Sequence, residues 1–378
     1  MSSEANLAKA GLEGVVAAQS SISDVDGAEG KLIYAGYDIH DLAKHATFEE
    51  VIFLLWNGTL PTASQLDQLK SELNSETRLP AEIIQLISAI PRTANPMDML
   101  RTVVSALGLY DPDAADNSIE ANVRKAVRLT AKFPIIVTTF QRVRNGQAPV
   151  LQLENLSLAG NFLYTLNGIE PDEIATRTMD VAFILHADHE LNASTFAARV
   201  TAATMSDMYS AIVSAIGTLK GPLHGGANEG VIKNLIEIGA VEAVEPWVKN
   251  AFANKEKIMG FGHRVYRTID PRATHLSEMS RKLGESTGET KWYEMSKKME
   301  EVVMREKRLN ANVDFYSAST YYALGMPTDL FTPIFACSRI SGWTAHVLEQ
   351  FRNNRLIRPR AEYIGPRDLK YVPIEQRG

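Results

Sequence analysis

Residues 219–230 read LKGPLHGGANEG, and the division of the chain turns on them. Gly221-Pro222 halts the apolar helical pattern before it, and Gly225-Gly226 frees the backbone after His224. A new helical pattern, EGVIKNLIEIG, starts at once. Such punctuation reads as a joint between packed units. A second joint, LGMPTDLFTP at 324–333, follows about a hundred residues later, and the intervening stretch is dense in charge and glycine. We expect a large helical domain built from 1–219 and 327–378, with a smaller helical domain at 220–326 closing over the cleft between them.

Elsewhere apolar residues recur at helical spacing almost throughout. FEEVIFLLWNG (48–58) ends in a glycine cap, and TASQLDQLKSELN (62–74) opens on a Thr-Ala-Ser cap region. MDMLRTVVSALGLY (97–110) and VRKAVRLTAKFPIIVTTFQRV (123–143) continue the pattern, with Pro134 marking a kink or break. Long Val/Ile runs alternating with helices are missing, which argues against a doubly wound sheet. Only the segment 13–39, with DVDGAEGK between VVAAQSSI and LIYAGYDI, reads as a small N-terminal β-hairpin. The expected fold class is all-α.

Composition narrows the function classes. In 378 residues, 39 Lys/Arg against 45 Asp/Glu give a net charge of −6, which argues against a general nucleic-acid surface. Residues 350–378 reverse the sign, with seven Lys/Arg against three Asp/Glu. The single Cys337 excludes an intramolecular disulfide and a cysteine-based zinc site, and suits a reducing compartment. No secretory pattern or membrane-length apolar run is visible, so a cytoplasmic protein is the expectation.

Several residues carry candidate chemistry. In LHADHELNASTF (185–196), His186 and His189 are three apart at an apparent helix end, with Asn192 as a cap for the next helix. That spacing admits a metal site, a substrate contact or a structural hydrogen bond, although the metalloprotease pattern His-Glu-x-x-His is absent. His224 stands at a helix entry with Asn228 as its candidate cap. Unpaired N–H groups there disfavour an imidazolium, leaving a neutral donor for a developing enolate oxygen or a loop hydrogen bond. In MGFGHRVYRTIDPR (259–272), His263 lies between glycines that let backbone approach a ligand, near Arg264, Arg267 and Arg272, whose guanidiniums suit carboxylates or phosphates. Asp314, in NVDFYSASTYY (312–322), has apolar neighbours; it reads as a helix cap or as a desolvated general base. Arg339, inside the apolar CSRISGW (337–343), implies a buried anionic partner, and Arg358 belongs to the basic C-terminal patch.

Taken together, LHADHELNAST, GPLHGGANE, MGFGHRVYRTIDPRA, NVDFYS, SRISGW and NRLIRPRAEYIG resemble the citrate synthases, as do GLEGV, YAGYDI and FLLWNGTLP nearer the start. The motifs follow the family's order and spacing over nearly the whole chain. The resemblance implies a two-domain helical fold and a homodimer with shared active sites. It also implies condensation of acetyl-CoA with oxaloacetate to citryl-CoA, then hydrolysis to citrate and CoA. By motif, Asp314 is the base, His224 the donor to the enol or enolate oxygen, and His263 the group polarising the oxaloacetate carbonyl. His189, Arg272, Arg339 and Arg358 would hold the oxaloacetate carboxylates, Arg358 from the other subunit, and Arg267 would meet CoA phosphate. No metal and no cofactor are expected, acetyl-CoA being a substrate, nor is a nucleic-acid or membrane partner. The chain lacks the extra N-terminal segment of the longer NADH-inhibited hexameric enzymes, so a dimer without that regulation is expected. Rival readings are a 2-methylcitrate synthase using propionyl-CoA, a metal-dependent hydrolase built on His186 and His189, and a silent CoA-binding scaffold.

Overall fold

A computed structural model describes residues 10–12, 14–263 and 265–377. Near the start, β1 (Ser23–Asp26), β2 (Lys31–Tyr34) and β3 (Tyr37–Asp38) form a three-stranded antiparallel sheet in the order β1-β2-β3. The expected hairpin is therefore present with one further short strand, while 15–22 carries no strand and only runs up to it.

The other regular elements among the described residues are helices, as expected, apart from an isolated bridge between Phe261 and Ala311. A first group comprises α1 (Ile39–His45), α2 (Phe48–Asn57), α3 (Ala63–Ser75), α4 (Ala81–Ala89), α5 (Pro96–Leu107) and α6 (Ile119–Arg144). Then come α7 (Leu158–Asn167), α8 (Glu173–His186), α9 (Ala193–Ala203) and α10 (Met208–Leu219). Beyond the Gly-Pro joint follow α11 (Ala227–Ile238), α12 (Val241–Ala253), α13 (Pro271–Thr287), α14 (Lys291–Lys307) and α15 (Val313–Ala323), and finally α16 (Phe331–Arg352).

Local chemistry sets the ends of these helices. Thr47 and Thr62 each close a reciprocal capping box, with Glu50 and Gln65 respectively, and Gly58 ends α2 in the left-handed region. Pro134 does not break α6, which runs unbroken through it. The buried faces on both sides of Pro134 hold the helix despite the missing backbone N–H.

α16 is the core element, buried along almost its whole length and packed on α2, α6, α8, α9 and α10. The helices α11 to α15 pack chiefly on one another, and α13 also reaches α1 and α8. A cleft opens where these two sets of elements face each other. Among the described residues, no helix is long and apolar enough to cross a membrane.

Candidate active site

The cleft is a cavity of about 410 Å³ whose wall includes His189, His224, His263, Arg272, Asp314 and Arg339. Six residues spread over 150 positions of sequence thus reach one space, and each is placed by an identifiable local device.

The segment 260–262 pairs with 310–312. Gly262 N–H donates to Asn310 O at 2.9 Å, Asn312 N–H to Gly260 O at 2.9 Å, and the Asn312 side-chain amide to Gly262 O at 2.9 Å. This pairing sets His263 beside the start of α15, which carries Asp314. The cap of α15 is Asn312, whose Oδ1 accepts the Asp314 N–H at 3.1 Å. Asp314 is therefore not the cap, and its carboxylate makes no hydrogen bond among the described residues. Desolvation pushes its pKa up to about 7, with Arg272 and Arg339 pulling the other way.

The His263 imidazole takes its orientation from backbone. Its Nδ1 faces the Val265 N–H at 3.0 Å and the Tyr266 N–H at 3.1 Å. Both are obligatory donors, so Nδ1 is the bare nitrogen and Nε2 carries the proton. Burial and the Arg272 charge lower its pKa to about 4, which keeps the ring neutral at physiological pH. The loop bearing it is pinned from the sheet side: Arg267 N–H donates to Gly27 O at 2.8 Å, and any Cβ at position 27 would lie 2.2 Å from Val265 O. Only glycine permits that approach.

His224 precedes α11, whose cap is Gly226; Asn228, expected to cap it, is buried inside the first turn. The two consecutive glycines displace the helix start by two residues. Ser194 N–H points at His224 Nε2 from 3.3 Å, with the Ser194 hydroxyl 2.8 Å away. A backbone N–H can only donate, so the His224 proton resides on Nδ1. Burial first, then Arg339, lowers the His224 pKa to about 4. Ser194 is itself fixed by Trp343 Nε1–H, which donates to its Oγ at 3.1 Å, and by the Asn192 side-chain Oδ1 at 2.7 Å.

Arg272 lies in the first turn of α13, which Asp270 caps, and the two form a buried ion pair at 2.8 Å. Asp270 also accepts the Val313 N–H at 3.0 Å, tying the start of α13 to the start of α15. Arg339 lies on α16, 1% exposed, with Nε donating to His186 O at 2.7 Å and its guanidinium stacked on Phe335. Sequence reasoning expects an anionic partner for it. Among the described residues no carboxylate is within ion-pair reach, so its charge is left for a ligand. Burial pushes its pKa down to about 10, still a cation at neutral pH.

His189 lies beyond the end of α8, with Nε2 3.2 Å from the Tyr266 hydroxyl. Desolvation, Arg272 and Arg339 hold it well below the ordinary histidine range, and hence neutral. His186 ends the helix and turns into the core, donating from Nδ1 to Ala182 O at 2.7 Å and packing edge-on against Phe335. The two rings have different neighbours, because the i, i+3 rule lapses where the helix ends. The His186–His189 metal reading thus loses its geometry.

Arg267 is exposed and does not line the cleft. Arg358 is also exposed and lines a separate cavity of about 780 Å³ between the N-terminal segment and the C-terminal tail. Arg264 lies outside the described residues. Sequence reasoning missed Ser194, Tyr266, Asp270 and Trp343; only Asp270 carried a local signal, an Asp-Pro step at a helix start.

Comparison with known proteins identifies the family. The family model for the citrate synthase C-terminal domain matches residues 11–360. A relative named citrate synthase 2, from Bacillus subtilis, is 57% identical over 97% of this chain and 98% of its own length. A citrate synthase from Haloferax volcanii is 51% identical over 98% of this chain and 99% of its own. A 2-methylcitrate synthase from Shewanella oneidensis is 42% identical over the full length of both. Among solved structures, the ternary complex of carboxymethyl coenzyme A and oxaloacetate with citrate synthase from Thermoplasma acidophilum superposes with a TM-score of 0.91 at 35% identity, covering 97% of this chain and 99% of that one. With a matching sequence model, a matching fold and one cleft gathering a carboxylate, three neutral histidines and two arginines, the chain belongs to the citrate synthase family.

Proposed function

We propose that this chain condenses acetyl-CoA with oxaloacetate and hydrolyses the resulting citryl-CoA to citrate and CoA, the step that feeds acetyl units into the tricarboxylic acid cycle. The observation that carries the reading is the convergence of Asp314, His224 and His263 with Arg272, Arg339 and His189 on one cavity.

Oxaloacetate is a dianion, and Arg272, Arg339 and His189 offer it two fixed cations and a neutral ring. Asp314 removes a methyl proton from acetyl-CoA. The thioester oxygen, gaining charge as the enol or enolate forms, accepts from His224 Nδ1–H. The enolic carbon attacks the oxaloacetate carbonyl carbon, and the new alkoxide takes the proton held on His263 Nε2. Water then cleaves the thioester, releasing CoA. Preorganised donors of this kind contribute about 3–4 kcal/mol each to lowering such a barrier.

The rest of the proposal concerns assembly and place. The segment 220–326 acts as the smaller domain that closes on oxaloacetate, a reading supported by the mutual packing of α11 to α15. The chain pairs as a homodimer in which Arg358 enters the partner's cleft; its exposure, and that of Leu356, Ile364, Leu369 and Tyr371 along the tail, supports an unmet surface there. Arg267 meets CoA phosphate from the rim. A lone, buried Cys337 suits the cytoplasm.

Release of free CoA thiol, measured with acetyl-CoA and with propionyl-CoA, each plus oxaloacetate, tests the reading. Preference for acetyl-CoA is expected. One methylene is worth about 1–3 kcal/mol of discrimination, so a reversed preference of tenfold or more would make the chain a 2-methylcitrate synthase instead. Absence of thiol release with either would overturn the activity.

A further inference from the structure

Behind the cleft lies a buried carboxylate that the reaction does not use. Asp188 is 0% exposed, one residue before His189. Its Oδ2 accepts from the Ser23 hydroxyl and faces His346 Nε2 at 3.2 Å. The same turn is held twice more. Tyr34 Oη accepts the Asp188 N–H at 3.1 Å and donates to Asp188 O at 2.9 Å, while Ser23 Oγ accepts the Glu190 N–H at 2.9 Å. Glu190 sits at a φ of +53°, a backbone state that a non-glycine residue keeps only when its surroundings hold it there.

His346 is as buried as Asp188, and its partners fix which ring nitrogen accepts. Arg199 Nη1 lies 3.2 Å from His346 Nδ1, and a guanidinium N–H only donates. Nδ1 is therefore the acceptor, and Nε2–H is directed at Asp188. Arg199 is held in turn by Glu349 and by Gln350 Oε1 at 3.1 Å. The turn presenting His189 is thus fastened on one side to the N-terminal sheet and on the other, through two successive buried hydrogen bonds, to α9 and α16.

We infer that Asp188 and His346 are positioning residues for the oxaloacetate site: they fix the turn 187–190 so that the His189 ring meets a substrate carboxylate. A carboxylate buried at such desolvation cost, when a neutral side chain would fill the same space, is consistent with a demand for geometry rather than for stability. The inference rests on the reading of His189 as an oxaloacetate contact, and the experiment separates the two.

Oxaloacetate binding by calorimetry, steady-state kinetics and melting temperature would be compared for Asp188→Ala, His346→Leu, His346→Gln, Ser23→Ala and His189→Ala. Asp188→Ala and His346→Leu are expected to weaken oxaloacetate binding and raise its KM about tenfold. Their kcat at saturating oxaloacetate should stay within about threefold of the parent. His346→Gln, which keeps a donor for Asp188 and an acceptor for Arg199, should restore most of the affinity. Ser23→Ala removes a single hydroxyl at the sheet edge and gives a folded variant with a smaller loss of the same kind, should the core substitutions fail to fold. A lower melting temperature with unchanged oxaloacetate affinity in Asp188→Ala or Ser23→Ala, alongside weakened binding in His189→Ala, overturns the positioning role and leaves the site reading intact. Unchanged affinity in His189→Ala itself overturns the reading beneath it.

Discussion

Replacing Asp314 by Asn tests the proposed base and, at the same time, the physical state assigned to it. The substitution is nearly isosteric, and the parent carboxylate makes no hydrogen bond among the described residues, so no packing or bonding is lost. What changes is basicity and charge. Loss of a positioned general base lowers rate by about 10²–10⁴-fold, equivalent to about 3–5 kcal/mol of barrier. Stability should move in the opposite direction. The folded-state pKa of about 7 lies above the ordinary 3.8, so folding disfavours the ionised carboxylate. That penalty is absent below pH 3.8, where folded and unfolded chains are both protonated, grows between the two values, and is complete above about pH 7.

From 3.8 to about 7, the ceiling on the penalty is about 4 kcal/mol. Asp314 is partly exposed, and an amide also costs something to bury, so about 1–2 kcal/mol of that should reappear as stability in the Asn variant. Thermal melts at pH 8 should then show Asp314→Asn about 1–3 °C above the parent, with the advantage fading toward pH 4. Thiol release measured on the same samples should fall by at least about a hundredfold, with oxaloacetate affinity nearly unchanged. A variant with activity within about tenfold of the parent would refute the base assignment. A variant that is inactive yet less stable than the parent at pH 8 would refute the desolvated, unpartnered carboxylate.

Three further outcomes follow from the geometry. In pH–rate profiles, kcat/KM for acetyl-CoA should lose activity below a single apparent pKa at or above about 7, as Asp314 protonates and bound oxaloacetate offsets the arginines that lower it, with His224 and His263 titrating only near 4; a profile flat from pH 8 to 5 would contradict this. Gly342→Ala puts a Cβ 2.4 Å from both Ala187 O and Asp188 Oδ1, so it should push the His189 turn off α16, lowering stability by about 1–3 kcal/mol and weakening oxaloacetate binding; melts and calorimetry check both. Mixing Asp314→Asn chains with Arg358→Ala chains should restore about one quarter of the sites if Arg358 serves the partner's cleft, since half of randomly exchanged dimers are mixed and each holds one intact site. Confirmed exchange without returning activity would place Arg358 in its own subunit.

How much of this was legible in the sequence depends on the range over which each residue acts. Helix periodicity, the Thr62 and Asn192 caps and the glycine end of α2 are local, and they stand as read. The glycine-rich stretch 219–230 also placed His224 just before a helix, where the structure has it. Local rules failed where an element ended or shifted by a turn. His186 and His189 looked like one helical face, but α8 stops at His186 and the chain turns. Asn228 looked like a cap, but the paired glycines moved the cap to Gly226. The resemblance supplied the candidate roles that periodicity could not. Neither route reached the partners that set protonation: Ser194 is 30 residues from His224, and His346 is 158 residues from Asp188, so their meeting is a property of the fold alone.

Those distant partners matter because the site's electrostatics are collective. Arg272 and Arg339 each depress the pKa values of nearby histidines, so the cations that suit a dianion also keep neutral donors for oxygen atoms that gain charge. The same two arginines act on Asp314 in the unhelpful direction, pulling down a pKa that burial has raised. Under the proposed function, oxaloacetate neutralises much of that positive field when it binds, and closure removes water as well. Both changes raise the proton affinity of Asp314, so the base is strongest only after the electrophile is in place. An enolate formed without oxaloacetate would be wasted by reprotonation. Coupling base strength to occupancy of the arginine pocket therefore gives the cleft an order of events, and it does so through the charges already required for binding.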